Sequence, residues 1–286
     1  MIVTNPNIVK RLVSADPVHT IKYLLSLRDG LVIEATYVDH PRKHIICFSS
    51  QVGCTVGCAF CVLGVNPKAP FERSLSYFEL IKQCKIIVDD LKLLMSEKPI
   101  LFSCMGMGEP LLNYDNVVKA LKCLGRIYPD SRLALSTSGI RPDFIEALAG
   151  EEFPVPFKLQ ISLHAPNTWL RTLLMPATKE INNLVSAVRR YRRECDGAVE
   201  WNYILLRNVN DSVKCASALV DLIGPGWYVK LSAYNHIEGT PLRGSEKEVI
   251  WAFKKRLEEG GLITELYETN GQDINAACGQ LAYREG

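Results

Sequence analysis

Phe157-Lys158-Leu159-Gln160-Ile161-Ser162-Leu163-His164 alternates apolar and polar residues without a break. Successive side chains of a strand point to opposite faces, so Phe157, Leu159, Ile161 and Leu163 share one side and Lys158, Gln160, Ser162 and His164 the other. Strand patterns before and after it are separated by helical ones, which means βαβ units and a parallel sheet. Parallel strands normally bury both faces and read as continuous apolar runs. A polar face in such a strand predicts a barrel, with helices packed outside and a ligand held inside. Sites in barrels gather at the carboxyl ends of the strands, where Ser162 and His164 fall.

Further strands are expected over 45–49, 100–105, 133–136, 200–206, 228–234 and 262–267, with the quoted one covering 157–163. Ser76 with Glu79 and Ser245 with Glu248 have capping-box spacing and mark two helix starts. Leu80, Cys84, Ile87, Val88 and Leu91 follow the first at helical spacing. Asn113, Asp143 and Asp211 are candidate starts of three more helices. This many units favours a full or partial barrel, and no G-x-G-x-x-G follows the first strand, which weighs against a dinucleotide fold. Ahead of the barrel, 20–27 reads as a strand or short helix, Arg28-Asp29-Gly30 as a turn and 31–38 as the returning strand. The expected class is therefore α/β, with a β-hairpin extension over 1–43 and a catalytic barrel over 44–286.

The chain has 33 basic and 31 acidic side chains, a net charge of +2, too even to imply a nucleic-acid partner without a local patch. Met1-Ile2-Val3-Thr4-Asn5-Pro6 lacks a signal-peptide pattern, and no apolar run is long enough to span a bilayer. Ten cysteines without an export signal argue against a disulfide scaffold and for reduced thiols in the cytoplasm, some of them ligands or catalysts. A monomer with no membrane partner is expected.

Three of those cysteines lie in Gly53-Cys54-Thr55-Val56-Gly57-Cys58-Ala59-Phe60-Cys61. Thiols at C-x-x-x-C-x-x-C spacing can meet three corners of an iron–sulfur cube, which leaves one iron without a cysteine and open to chemistry. A zinc knuckle or three buried thiols is the competing reading; zinc sites usually pair C-x-x-C units or add histidines, and neither is nearby. Gly106-Met107-Gly108-Glu109-Pro110 follows a predicted strand. Alone it fits a turn with a solvated Glu109 as well as a backbone-and-carboxylate site. Beside an open iron it could receive the amino group of S-adenosylmethionine, whose amino and carboxylate groups can chelate that iron.

Six stretches then follow one another along the chain: Cys47-Phe48-Ser49-Ser50-Gln51-Val52-Gly53-Cys54, residues 105–113, Leu135-Ser136-Thr137-Ser138-Gly139, Ile161-Ser162-Leu163-His164-Ala165-Pro166-Asn167, Val209-Asn210-Asp211 and Asp273-Ile274-Asn275-Ala276-Ala277-Cys278-Gly279-Gln280-Leu281. In this the sequence resembles the radical S-adenosylmethionine superfamily and, within it, the RlmN/Cfr family of adenine C2/C8 methyltransferases. That likeness sharpens the expected fold to a partial (β/α)6 TIM-like barrel. It implies that Cys54, Cys58 and Cys61 ligate a [4Fe–4S] cluster, and that Gly108, Glu109, Ser136, Ser162, Leu163, His164 and Asn235 surround S-adenosylmethionine. It also implies that Cys278 is itself methylated, that Cys47 is its resolving partner and that Glu34 is the general base.

Carbon 2 of adenine is electron-poor and carries no acidic proton, so simple transfer from a sulfonium is not available to it. In the implied route the Cys278 thiolate takes a methyl group from one cofactor molecule. A second cofactor is cleaved by one electron to a 5′-deoxyadenosyl radical, which takes hydrogen from the S-methyl group. The resulting carbon radical adds to the ring. Loss of the ring proton to Glu34 and attack of Cys47 on the Cys278 sulfur release product and leave a disulfide. RNA (rRNA or tRNA) is the implied substrate and a flavodoxin-type protein the implied electron donor.

Two departures bear on the substrate. Family members begin with an accessory domain that helps hold RNA, whereas almost nothing precedes the catalytic part here, and the loop 62–70 is longer than the family's. The same chemistry on a small molecule or nucleotide is the alternative expectation; a silent RNA-binding or electron-transfer protein is a third. Cys84, Cys104, Cys123, Cys195 and Cys215 read as small buried residues. The run Arg189, Arg190, Tyr191, Arg192, Arg193 fits phosphate contacts or a solvated helix face.

Overall fold

A computed structural model describes residues 6–66, 70–195, 197–267 and 270–276. The chain opens with three antiparallel strands, β1 (Asn7–Val13), β2 (Thr20–Ser26) and β3 (Val32–His40), and β4 (Lys43–Phe48) turns back against β3. β5 (Gln51–Val52), the single-turn α1 (Val62–Val65) and β6 (Arg73–Ser74) follow. Helices and strands then alternate: α2 (Tyr77–Asp90), β7 (Ile100–Cys104), α3 (Tyr114–Ile127), β8 (Arg132–Thr137), α4 (Pro142–Leu148), β9 (Phe157–Ser162), α5 (Thr168–Leu174), α6 (Ile181–Cys195), β10 (Ala198–Leu205), α7 (Val213–Ile223), β11 (Tyr228–Ala233), α8 (Lys247–Glu259) and β12 (Ile263–Tyr267). One sheet runs β1-β2-β3-β4-β7-β8-β9-β10-β11-β12, and every pairing from β4 onward is parallel. This is the partial α/β barrel the sequence predicts.

The polar face of β9 does turn inward. Lys158 Nζ lies 2.9 Å from Glu200 Oε2 on β10, Gln160 Nε2 donates to Glu200 Oε1 at 2.5 Å, and Lys230 Nζ on β11 stands 3.9 Å from the same carboxylate. A buried charge is tolerated only when paired and hydrogen-bonded, and Glu200 is both. Leu159 and Ile161, on the other face, are fully buried. Burying such side chains contributes about 1.5–3 kcal/mol each.

The extension has one strand more than the expected hairpin. β1 escapes a pattern-based reading because its side chains, Ile8, Val9 and Val13 among them, are exposed, so burial imprints no alternation on them. Its backbone pairing with β2 defines it instead. β2 is buried on both faces: Tyr23 Oη donates to Asp90 Oδ2 of α2 at 2.7 Å on one side, while Lys22 and Leu24 face inward on the other.

Helix starts were half legible. Ser76 caps α2 with the full reciprocal box to Glu79. The second box does not form: Ser245 Oγ donates to Asp211 Oδ2 at 2.7 Å, and Glu246 occupies the cap of α8. Asp211 is engaged there and with the Asn208 amide, so Ser212 caps α7. Asp143 falls within the first turn of α4, behind Arg141 at the cap. Asn113 precedes α3, but its amide donates to the Ser50 and Leu75 carbonyls rather than capping. Cys84 and Cys104 are buried as expected; Cys123 and Cys215 are partly exposed, and Cys195 is exposed at the end of α6, where the amphipathic helix turns it outward. In the basic run, Arg189 and Arg192 donate to carbonyls at 222, 223 and 226, Arg190 pairs with Glu146 and Tyr191 is buried. Those are structural duties. Among the described residues, no helix is long and apolar enough to cross a membrane.

Candidate active site

The cysteine loop is folded tightly on itself. Gly53 has φ +76°, and a Cβ there would fall 2.0 Å from the Pro70 carbonyl oxygen; one on Gly64 would fall 2.2 Å from the Cys58 carbonyl oxygen. The Ala59 amide donates to Leu174 O at 2.9 Å, tying the loop to α5. Cys54, Cys58 and Cys61 line one cavity of about 220 Å³ together with Cys47, Gly108, Glu109, Ser136, Ser162 and His164. Cys47 reaches it from β4, in the row Thr36–Cys47–Ser103 that crosses β3, β4 and β7.

Burial pushes the Cys54 thiol up to about 12 and the Cys58 thiol well above its ordinary value, with Glu109 and the neighbouring cysteines adding to both. Such thiols stay protonated in the protein alone, and a bound metal centre is what would draw off their protons. Among the described residues no three His, Cys, Asp or Glu side chains close on a single ion position. A cubane cluster makes no such demand, because each thiolate meets a different iron. The three thiols at C-x-x-x-C-x-x-C spacing on one cavity fit such a cluster.

Glu109 is not the solvated carboxylate of a simple turn. It is buried, Oε1 accepts from Thr137 Oγ1 at 2.5 Å and from the Leu111 amide at 3.0 Å, and Oε2 accepts from the Ser138 amide at 2.8 Å. Its own amide donates to Gln51 Oε1 at 2.9 Å. Gly108, at φ +96°, brings the chain so close to Gln51 that a Cβ would lie 2.5 Å from that side chain. His164 has φ 57°, and its Nδ1 accepts from the Ile204 amide at 3.0 Å. Burial, reinforced by Arg171, holds this imidazole down to about 3, so it is neutral. Ser138 Oγ and Asn202 Oδ1, both on the cavity wall, are buried without a hydrogen-bond partner. Buried polar atoms left over in this way are what a polar ligand satisfies.

With that geometry in hand, the family model described as Radical SAM superfamily matches residues 48–214. A curated relative from Dictyoglomus turgidum, a probable dual-specificity RNA methyltransferase RlmN, is 37% identical over 270 residues, covering 92% of this chain and 76% of its own length. This chain belongs to the RlmN-type family of the radical S-adenosylmethionine superfamily. The RlmN of Wolinella succinogenes is likewise 37% identical, over 280 residues, covering 91% of this chain and 76% of itself. The crystal structure of a radical SAM methyltransferase from Sphaerobacter thermophilus superposes with a TM-score of 0.89 at 33% identity, over 97% of this chain and 81% of that one. Spore photoproduct lyase, at 11% identity and a TM-score of 0.58, shares the fold. The chain is thus an enzyme of the methyltransferase kind, in a superfamily that works with a [4Fe–4S] cluster and S-adenosylmethionine.

Not every residue expected of an RlmN-type site meets in the main cavity. Leu163 is buried, its amide donating to Asn202 O at 3.0 Å, and Asn235 is buried beyond β11; neither is on the cavity wall. Glu34 faces a neighbouring cavity with Lys22 and Val62. Cys278 lies outside the described residues, two positions past Ala276, which is on the main wall. Arg171 carries no signal in the sequence, because an arginine between Leu170 and Leu174 looks like an exposed turn of helix. It is fully buried, donating from Nη2 to the carbonyl oxygens of Ser138 and of Ser162, the latter at 3.3 Å. Burial lowers its guanidinium to about 10, against the opposing pull of Cys58 and Glu109.

Proposed function

We propose that this enzyme methylates an adenine carbon of RNA, adenosine C2 in rRNA or tRNA, by way of an S-methylated Cys278. The convergence of Cys47, Cys54, Cys58, Cys61 and Glu109 on one cavity carries this assignment; the names of the RNA-methylating relatives support the substrate. Cys54, Cys58 and Cys61 would hold the cluster, and Gly108, Glu109, Ser136, Ser162 and His164 would hold S-adenosylmethionine, with Leu163 and Asn235 buried behind them. When bound, that pair supplies the methyl group, the one-electron chemistry that makes the S-methyl carbon a radical, and the acceptor for the odd electron at the end.

The chain's own groups do the rest. The buried Glu109 carboxylate receives the cofactor's ammonium. Cys278 Sγ carries the methyl carbon to the ring and stays joined to it after addition. Glu34 takes the ring proton. The Cys47 thiolate then attacks Cys278 Sγ: an S–S bond forms, the S–C bond breaks, and its electron pair takes up a proton to complete the methyl group. A flavodoxin-type protein is the proposed source of electrons.

The test is direct. After anaerobic reconstitution and incubation with S-adenosylmethionine, mass spectrometry should find a methyl group on Cys278. With a labelled methyl donor and total RNA, label should appear in 2-methyladenosine. A methylated Cys278 with unlabelled RNA would move the substrate to a small molecule or nucleotide. No methyl on Cys278 would overturn the whole assignment.

A further inference from the structure

The second cavity, about 240 Å³, lies on the inner face of the extension and is walled in part by Lys10, Lys22, Glu34, His236, Glu238 and Asn275. Within it Lys22 and Glu34 are 5% and 1% exposed, and Lys22 Nζ lies 2.9 Å from Glu34 Oε2. Register explains the pairing. Lys22 is opposite Thr36, so Glu34, two residues back along β3, is its diagonal neighbour on the same face, within reach of a long side chain. The same ammonium donates to the Asn275 carbonyl oxygen at 3.2 Å. Asn275 stands three residues before Cys278.

The segment 270–276 is otherwise tied to the corner between β1 and β2. Ser14 Oγ donates to Asp273 Oδ1 at 2.6 Å, the Ala15 amide to Asp273 Oδ2 at 2.8 Å, and the Gly271 amide to Asp16 Oδ2 at 2.7 Å. Those bonds fix where the segment begins. Lys22 is different, because it touches both the segment and the carboxylate of Glu34. Two buried groups of opposite charge hold each other only in good geometry, and removing one leaves the other stranded. A buried ammonium that is ion-paired with a carboxylate and donates to a carbonyl sets the spacing between them.

We propose that Lys22 is a positioning residue that couples Glu34, the proposed proton acceptor, to the segment 270–276, whose sequence runs on to Cys278. This rests on the roles proposed above for Glu34 and Cys278. Lys22 touches no substrate in this role; it acts through Glu34 and through the backbone of Asn275. Its loss should therefore strike the step in which the ring proton leaves, after the sulfur has become joined to RNA.

The reconstituted full chain is compared with Lys22→Met, Lys22→Gln, Lys22→Arg and Glu34→Gln, given S-adenosylmethionine, reductant and total RNA. Denaturing gels read the covalent protein–RNA adduct, and mass spectrometry reads methylated Cys278. Lys22→Met should raise the ratio of adduct to methylated Cys278 about tenfold or more, and Glu34→Gln should raise it further, toward the roughly 10²–10⁴-fold that a general base contributes. Lys22→Arg, which keeps the charge, should restore release, and Lys22→Gln should not. In the protein without cofactors, hydrogen exchange at the amides of 271–276 should quicken in Lys22→Met. A merely structural role would lower methylated Cys278 and adduct together, leaving their ratio at the wild-type value, and that result overturns the proposal. So does unchanged exchange at 271–276 in a folded Lys22→Met. If the wild-type chain never methylates Cys278, the proposed function fails instead, and the exchange measurement still reads the Lys22–Asn275 link.

Discussion

His164 shows how one residue links site geometry to stability. Its Nδ1 lone pair is taken by the Ile204 amide, so it is not free for a second proton, and its ring packs edge-on to Phe60 at 4.8 Å. In the unfolded chain a histidine binds a proton near 6.5; here the value is about 3, through burial first and Arg171 second. Below about pH 6.5 the unfolded state therefore binds a proton that the folded state refuses. Stability should fall as the pH drops from about 6.5 toward 3, by up to about 1.4 kcal/mol per pH unit from this group. Urea denaturation of the reduced, cofactor-free protein at about pH 7 and about pH 5 measures the slope. His164→Asn should flatten it in part, because His44 is lowered in the same sense by burial and Lys98. An unaltered slope in that variant would refute the assignment. Gly64 makes a second case. Alanine there would push a methyl group against the Cys58 carbonyl, so the loop must shift. Gly64→Ala should fold, yet retain less iron after reconstitution than the wild type, as measured by iron and sulfide content.

At the scale of elements, α2 illustrates what a local pattern can and cannot reveal. Ser76 and Glu79 bond reciprocally, and Arg73 joins Glu79 to Asp29 in the β2–β3 turn, with 2.7 Å to Asp29 and 2.8 Å to Glu79. Ser76→Ala should cost about 1 kcal/mol in denaturant unfolding. The box at Ser76 is readable because its hydroxyl bonds to Glu79, three residues on, whereas Ser245 is drawn to Asp211, 34 residues away. Spacing alone does not reveal that competition. Much the same separates β9 from β1. The inward polar face of β9 is written into its alternation, since one side packs on helices and the other pairs around Glu200. β1 exposes nearly all its side chains and is held by backbone pairing, which leaves no trace in side-chain chemistry. The cysteine spacing and the two glycines ahead of Glu109 point to the main cavity. Arg171 and the Lys22–Glu34 pair did not announce themselves, because each depends on partners brought in by the fold.

For the whole molecule, the sheet changes character at β4. Before it lies a meander whose strands are joined by short connections, the last of only two residues between His40 and Lys43. Beyond it, each parallel pairing needs a helix to carry the chain back across the sheet. Contacts between near neighbours close sooner than contacts across long loops. Pulse-labelled hydrogen exchange during refolding should therefore protect the amides of β2 and β3 before those of β10 and β11; the reverse order would refute it. The bonds from Ser14, Ala15, Asp16 and Lys22 to the segment 270–276 then acquire a meaning in time. Strands that settle early thus provide the berth for a segment more than 250 residues further along the chain. Docking of 270–276 thus waits until everything between has been synthesised, and a chain interrupted before residue 270 would have its cysteine loop while that berth stayed unfilled.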